Sequence, residues 1–468
     1  MKKSRENKAI NTAKTEVRNI INSSISDNRS RLKKEKEDRF KKRIEKSKLS
    51  NWLTLDNAGV IYPSLREENW DFVYRVSVVL KNEVNPEILQ KAVADLEPRF
   101  PSFFVRMKTG FFWNYFEALD NPLVVEKEES FPCSRFKKGS NAPLIRVLYY
   151  GKRISFECFH ALADGRSSLK FLNSLVKRYV ELCGEVVQDS KYCLNFMDRS
   201  KREELEDSFS VYADKSKKLK HKEFRAYSIK GTPEEYSVVN STIAEMRVSQ
   251  LKDIARSYNA KLFEFLIAVL AKGILKRVLN TEKKNRPIKI SVPVDLRQFF
   301  ESESLRNFSG YLNVEVPIDK NLTFQEIVEI VKSEMTKITK DRMQGFINSN
   351  VAIKKNWFIK IIPLFIKNFF INLFFKNWGE AYQTLAVSNL GLNILPKEFE
   401  NYIERFEFNL GRPKYNAKSM GLVSYGDKLV CILSSKIKEN TTEKDFLTEL
   451  ASMGADIIIG SNRRDLYE

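Results

Sequence analysis

Phe159-His160-Ala161-Leu162-Ala163-Asp164-Gly165 is the stretch on which the reading of this chain turns. Ahead of it, Arg153 to Phe159 alternates Ile154, Phe156 and Cys158 with Ser155 and Glu157, the period of a strand. Behind it, Leu169, Leu172, Val176 and Tyr179 recur at helical spacing until Gly184 stops the run. A strand therefore delivers His160 to a loop, and a helix leaves from Asp164-Gly165. Loops held between rigid elements often carry chemistry. The 468 residues include two histidines, and the other, His221, lies in a lysine-rich stretch with no chemistry around it. Histidine is the side chain that changes charge nearest neutral pH. A general base needs such a pKa, a fixed ring and an open edge, and a strand end before a sharp turn supplies the last two.

Composition bounds the rest. An apolar fraction of 43%, with 33 Phe and 17 Tyr, is ample for a packed core and excludes disorder of the whole chain. The length fits two ordinary domains or one two-lobed unit. Half of the net +20 lies in residues 1–50, which carry 17 Lys and Arg against 7 Asp and Glu. This reads as a basic, flexible N-terminal arm, able to face nucleic acid or an anionic membrane. The body adds no recognisable nucleic-acid module, so no specific nucleic-acid partner is expected. Cys133, Cys158, Cys183, Cys193 and Cys431 are odd in number and form no C-x-x-C pair. That pattern argues for reduced thiols in the cytoplasm and against a disulfide framework or a metal site. No apolar segment follows Met1-Lys2-Lys3, so no secretory signal is expected.

One stretch resembles a membrane segment: Trp357 to Trp378, WFIKIIPLFIKNFFINLFFKNW. Lys360, Pro363, Lys367, Asn368 and Asn372 interrupt it too often for a spanning helix. It reads either as a buried helical hairpin or substrate lid, or as an interfacial segment with its aromatics in lipid. Peripheral membrane association is thus open through residues 357–378 or through the arm.

Along the chain, a first lobe spans 51–197. Its expected strands cover Asp71 to Leu80, Phe103 to Met107, Phe111 to Phe116, Leu144 to Tyr149 and Arg153 to Phe159, and Pro86 to Leu96 has the pattern of a helix. Residues 198–235 turn polar and aperiodic, a crossover linker. The second lobe, 236–468, carries expected strands at Val238 to Met246, Ile288 to Val294, Tyr311 to Val316, Thr384 to Ser388, Arg405 to Leu410 and Lys428 to Leu433. Its helices fall near 249–258, 261–278, 323–335, the last opened by a Thr323/Glu326 capping box, and 442–453. Strands and helices mixed in two similar halves make this an α/β protein.

His160-Ala161-Leu162-Ala163-Asp164-Gly165 resembles the H-x-x-x-D-G motif of the superfamily containing chloramphenicol acetyltransferase, peptide-synthetase condensation domains and alcohol acetyltransferases. Ser291-Val292-Pro293-Val294-Asp295-Leu296-Arg297 resembles the second-half strand of that superfamily. Trp52 to Gly59 (WLTLDNAG), Arg306 to Tyr311 (RNFSGY) and Val387 to Gly391 (VSNLG) look like its bacterial alcohol acetyltransferase branch. These points span nearly all of the chain beyond the arm.

The resemblance implies a two-lobed, chloramphenicol-acetyltransferase-like fold, with mixed sheets flanked by helices and the active site at the lobe interface. It implies His160 as general base, Asp164 held by Arg297 for site geometry, Gly165 at the turn, and Ser388 or nearby backbone as oxyanion donor. Acyl-CoA would be a co-substrate and no cofactor would be bound permanently; the residues that hold CoA are not legible. The acceptor would be a hydroxyl-bearing small molecule or lipid. One departure matters: condensation domains carry a paired histidine where Phe159 stands. That favours a free-standing, CoA-using enzyme, with a carrier-protein thioester donor as the alternative. A non-catalytic membrane- or partner-binding protein of the same fold is the other. Cys158 reads as buried packing, and Phe103, Phe104, Phe111, Phe112 and Trp113 as either core or the lining of an apolar tunnel.

Overall fold

The computed structural model describes residues 52–463 except 68–69, 137–140, 217–223, 236–237, 280–285, 356–360, 379–381 and 415. The basic arm of residues 1–50, His221 and the start of the 357–378 stretch lie outside the described residues.

The first half runs β1 (Leu53–Thr54), α1 (Ile61–Ser64), β2 (Val73–Leu80), α2 (Pro86–Leu96), β3 (Val105–Thr109), β4 (Asn114–Ala118), β5 (Glu126–Lys127), β6 (Ile145–Tyr150), β7 (Arg153–Phe159) and α3 (Gly165–Leu182). A short helix α4 (Ser208–Tyr212) leads to β8 (Asn240–Arg247), α5 (Val248–Ser257), α6 (Leu262–Val278), β9 (Ile288–Asp295) and β10 (Ser309–Val316). Then come α7 (Phe324–Met335), α8 (Lys340–Lys355), α9 (Leu364–Trp378), β11 (Leu385–Leu392), β12 (Ile403–Asn409), β13 (Lys418–Tyr425), β14 (Lys428–Ser435), α10 (Thr441–Ser452) and β15 (Ile457–Ser461).

Local chemistry explains why the helices start where they do. In α2, Pro86 occupies the first turn and Asn85 accepts a bond from the Ile88 N–H at 3.0 Å, capping the end. In α7, Thr323 and Glu326 form the reciprocal capping box. Asp164 caps α3, accepting from the Ser167 N–H at 3.0 Å, and the helix buries Leu169, Phe171, Leu172, Leu175 and Val176. Phe171 stacks on Phe103 (5.1 Å between ring centres) and meets Phe156 of β7 at 4.5 Å, an aromatic knot in the first core. Phe103 and Phe104 therefore join the first core, while Phe111 and Phe112 are exposed.

Two mixed sheets organise the protein. One has five strands in the order β12-β2-β7-β6-β5, the other seven in the order β10-β9-β11-β13-β14-β8-β15. A small β1-β4-β3 ribbon accompanies them. The expected second lobe, 236–468, divides the chain but not the sheets, because β12 leaves it to pair antiparallel with β2, Phe406 facing Val78. Burial explains the exchange: Phe406 and Phe408 join the first core. At the end of β12, Asn409 bonds Ser241 of β8 at 2.9 Å and accepts from Ser434 of β14 at 2.8 Å, stitching the sheets together.

The crossover is pinned by charge. Glu204, in the turn Glu203–Leu205, accepts two 2.6 Å bonds from Arg99, and both side chains are almost wholly buried. Its carbonyl accepts from the Leu305 N–H at 2.8 Å, so the crossover holds the first lobe and the 304–306 loop together. Removing one partner strands the other charge out of water. Glu204→Ala is expected to cost about 3–5 kcal/mol in urea unfolding, and the paired replacement Arg99→Met/Glu204→Leu much less. Equal losses for the two would show that packing, and not the stranded charge, sets the cost.

Candidate functional site

β7 ends at Phe159, whose ring turns into the first core beneath the Arg66 guanidinium, 4.9 Å from the ring centre. Strand alternation sends the next side chain, His160, to the opposite side, where it is partly exposed. Its backbone N–H bonds the Phe72 carbonyl at 2.8 Å, fastening the loop to the start of β2. The imidazole is sandwiched: Tyr62 of α1 stacks on it at 4.6 Å and 16°, and Tyr74 of β2 meets it edge-on at 5.0 Å. The Tyr74 hydroxyl donates to the Ala163 carbonyl at 2.8 Å, so the same residue braces ring and turn.

A line of three side chains sets the state of the ring. His160 Nδ1 lies 3.2 Å from Asn307 Oδ1. Asn307 Nδ2 faces two acceptors, Asp56 Oδ2 at 3.1 Å and the Ala161 carbonyl at 3.4 Å, so the amide nitrogen must occupy that side. Its oxygen is then left to accept, and Nδ1 must carry the proton. The neutral ring therefore holds its lone pair at Nε2. Burial draws the His160 pKa below its ordinary value; the residue's own backbone, the Asp164 charge and the bond to Asn307 oppose this without overcoming it.

Asp56 is fully buried, and burial raises its pKa, opposed by Arg306, whose Nε lies 3.7 Å away, and by bonds from Gly59 and Asn307. Gly59 is required there: a Cβ would sit 2.6 Å from the Ala161 carbonyl. Thus the Trp52–Gly59 and Arg306–Tyr311 runs, distant in sequence, converge behind the histidine.

Asp164 and Arg297 come together as a buried pair, Oδ2 to Nη1 2.8 Å. Asp164 Oδ2 also accepts from the Phe308 N–H at 2.9 Å. Burial pushes this carboxyl up, but the Arg297 guanidinium and the Phe308 and Ser167 amides outweigh it and hold the pKa below its usual value. Arg297 spends its remaining donors on Asp295, Ser167, and the carbonyls of Ser304 and Arg306. Gly165 departs from expectation. It has no positive φ and opens α3, so the turn does not call for glycine. Packing does: a Cβ would come 3.0 Å from Leu390 and 3.2 Å from Phe408.

Ser388 takes no part in this network. It lies on β11 two residues before Leu390, on the face opposite the core residues Leu385 and Val387. Cys158 is fully buried and its thiol is pushed up to about 12, mainly by burial, which leaves it protonated. Asp56, Tyr62, Tyr74 and Asn307 were not assigned from the sequence. Asp56 and Asn307 sit inside runs that resembled the acetyltransferase branch, whereas nothing local marks the two tyrosines.

The sequence matches no protein-family model and no curated protein. Solved structures do resemble it. The first condensation domain of the CDA synthetase is 14% identical with a TM-score of 0.54, over 87% of this chain and 96% of that one. The starter condensation domain of rhizomide synthetase, in a variant bound to C8-CoA and Leu-SNAC, is 9% identical with a TM-score of 0.53, over 86% and 94%. The trichothecene 15-O-acetyltransferase of Fusarium sporotrichioides is 10% identical with a TM-score of 0.54, over 86% and 94%. The chain has the two-lobed fold of these condensation domains and of this O-acetyltransferase.

Arg297→Ala leaves the buried Asp164 carboxylate without its cation and is expected to cost about 3–5 kcal/mol. The Asp164 carboxyl, held low in the fold, contributes stability above its unfolded pKa that is lost as pH falls through the folded value. Asp164→Asn should therefore be less stable at neutral pH and show a flatter decline on acidification. An acid limb as steep as wild type in a urea-unfolding pH series would refute the assignment.

Proposed function

We propose that the protein transfers an acyl group from a CoA thioester to the hydroxyl of an acceptor, with His160 as general base. The carrying observation is the state of that ring: Nδ1 committed to Asn307, Nε2 left as the base, and a pKa lowered by burial. The likeness in fold to an O-acetyltransferase, and to a condensation domain solved with C8-CoA, supports a thioester donor.

In the proposed reaction, Nε2 takes the proton from the acceptor hydroxyl as its oxygen bonds to the thioester carbonyl carbon. The carbonyl oxygen gains the negative charge of a tetrahedral intermediate. Collapse re-forms the carbonyl and breaks the carbon–sulfur bond, and the imidazolium returns its proton to the leaving thiolate. No covalent enzyme intermediate forms, consistent with an inert Cys158. Ser388 is our candidate donor to the oxyanion, because its strand face runs on to Leu390 against the start of α3. Asp164 and Arg297 act as positioning residues, and so does Asn307. Phe159, buried in the core, offers no second proton-transfer group.

The test is thiol release from acyl-CoA, and from acyl-pantetheine as a carrier mimic, with a panel of alcohols. His160→Ala is expected to lower acceptor-dependent kcat by about 10²–10⁴-fold while remaining folded. Release that survives this substitution would overturn the mechanism. Activity requires the neutral ring, so kcat/KM should rise with pH through a value below that of an ordinary histidine and stay level above it. Asn307→Ala removes a bond that favours the charged ring. It should move that limb further toward acid and lower kcat by about 10- to 100-fold through ring misplacement. A slower variant with an unmoved limb would assign Asn307 to the fold alone.

A further inference from the structure

Helix α9 (Leu364–Trp378) has two faces of different character. Inward, Leu364 is buried, and Lys367 donates to the Phe112 carbonyl at 3.0 Å with its ammonium 3.5 Å above the Trp113 ring centre. Asn372 donates to the Ser64 carbonyl of α1 at 2.6 Å. Phe375 meets Phe72 edge-on at 6.1 Å; Phe72 meets Tyr62 at 5.0 Å, and Tyr62 stacks on His160. The inner face thus belongs to the wall of the candidate site.

Outward, Phe365 and Phe369 stand four apart on one stripe of α9, exposed by 69% and 65%, with Phe370 beside them and Ile361, ahead of Pro363, exposed as well. The 111–112 turn extends the patch, since the Leu364 N–H bonds the Phe111 carbonyl at 2.9 Å and both Phe111 and Phe112 are exposed. Single exposed apolar residues need no explanation, but five aromatic ones gathered on one helix and its adjoining turn do.

Charge identifies what covers them. Residues 342–378 contain no Asp or Glu; Lys354 bonds the Leu55 carbonyl and Asp207 and Lys367 turns inward, which leaves Arg342, Lys355, Lys360 and Lys376 to make the segment basic. A second copy docked through this face would set the basic segment against itself, because a two-fold contact pairs like with like. A surface that is apolar to a shallow depth and negatively charged at its rim complements it. Among the described residues no helix is long and apolar enough to cross a membrane. An exposed apolar helix face on a segment that is basic and free of acidic residues matches a helix lying in the interface of an anionic bilayer.

We propose that the outer face of α9, with the 111–112 turn, docks the protein on an anionic lipid bilayer and that the acceptor alcohol is an amphiphile drawn from that bilayer. The second clause rests on the acyl-transfer reading; the first does not. Docking would place the inner face of the same helix, and through Phe72 and Tyr62 the His160 ring, next to the lipid from which an acceptor hydroxyl enters.

The full-length protein is tested by co-sedimentation with vesicles of phosphatidylcholine alone and of phosphatidylcholine with phosphatidylglycerol. Binding is expected to the mixed vesicles only and to weaken with salt. Phe365→Glu/Phe369→Glu retains every basic residue, the N-terminal arm included, and should bind at least about tenfold more weakly. A cooperative thermal melt checks that this variant is folded. Failure of wild type to bind the mixed vesicles overturns the docking. So does undiminished binding by the variant, which would assign adhesion to the arm. Self-association of wild type, abolished in the variant and without vesicle binding, would make the face a contact between copies. With acyl-CoA as donor, activity on a long-chain alcohol in vesicles relative to a short soluble one should fall about tenfold in the variant. An unchanged ratio overturns the acceptor class and leaves the docking in place. No transfer to either alcohol by a protein that binds vesicles counts against the acyl-transfer reading and not against the docking.

Discussion

The pairing of Arg297 with Asp164 is the interaction on which the rest of the site depends. Arg297 follows β9 in the seven-stranded sheet, and Asp164 caps the helix that follows β7 in the five-stranded one. Each is buried, so each would pay heavily for losing the other. All three guanidinium nitrogens are engaged, and two of their acceptors are carbonyls of the 304–306 loop. That loop delivers Asn307 to His160. One ion pair therefore sets the register between two sheets and, through a short loop, the orientation of an imidazole that neither charge touches.

Around the ring, electrostatics are divided between groups that stay charged and groups that stay neutral. Asp164 is held ionised by a guanidinium and two amides, and its charge partly offsets the effect of burial on His160. Asp56 is buried and raised, and it acts on the histidine through an amide that cannot pass a proton, so it orients the ring without acidifying it. Tyr62 and Tyr74 close both faces of the ring, which supplies the burial that keeps it neutral. The arrangement suits a base that must be ready before substrate arrives, which is what the proposed acyl transfer demands.

Tyr62 also ties the proposed chemistry to the proposed surface. It stands on α1, which packs against α9 through the Asn372–Ser64 bond, and it touches both Phe72 and His160. A helix with one face in lipid and the other in this aromatic stack would report its environment directly to the base.

Sequence alone was enough for whatever depends on local pattern. The alternation of Arg153 to Phe159, the helical spacing after Gly165 and the capping residues Asn85 and Thr323 located their elements closely, because strand period, helix period and cap geometry act over a few residues. It also singled out His160, Asp164 and Arg297, through motifs that keep their spacing. It missed β13, whose burial on both faces erases the alternation that marks a half-exposed strand, and it left β12 in the wrong sheet, since pairing with β2 is settled by burial of Phe406 and Phe408. Glycine at 165 was legible but its reason was not: Leu390 and Phe408 arrive from more than two hundred residues away. The same holds for Asp56, Asn307, Tyr62 and Tyr74, which no local rule brings to the histidine. Which hydrogen the imidazole carries, and which face of α9 meets water or lipid, were decided only when distant segments closed around them, because burial and hydrogen-bond partners are properties of the packed chain.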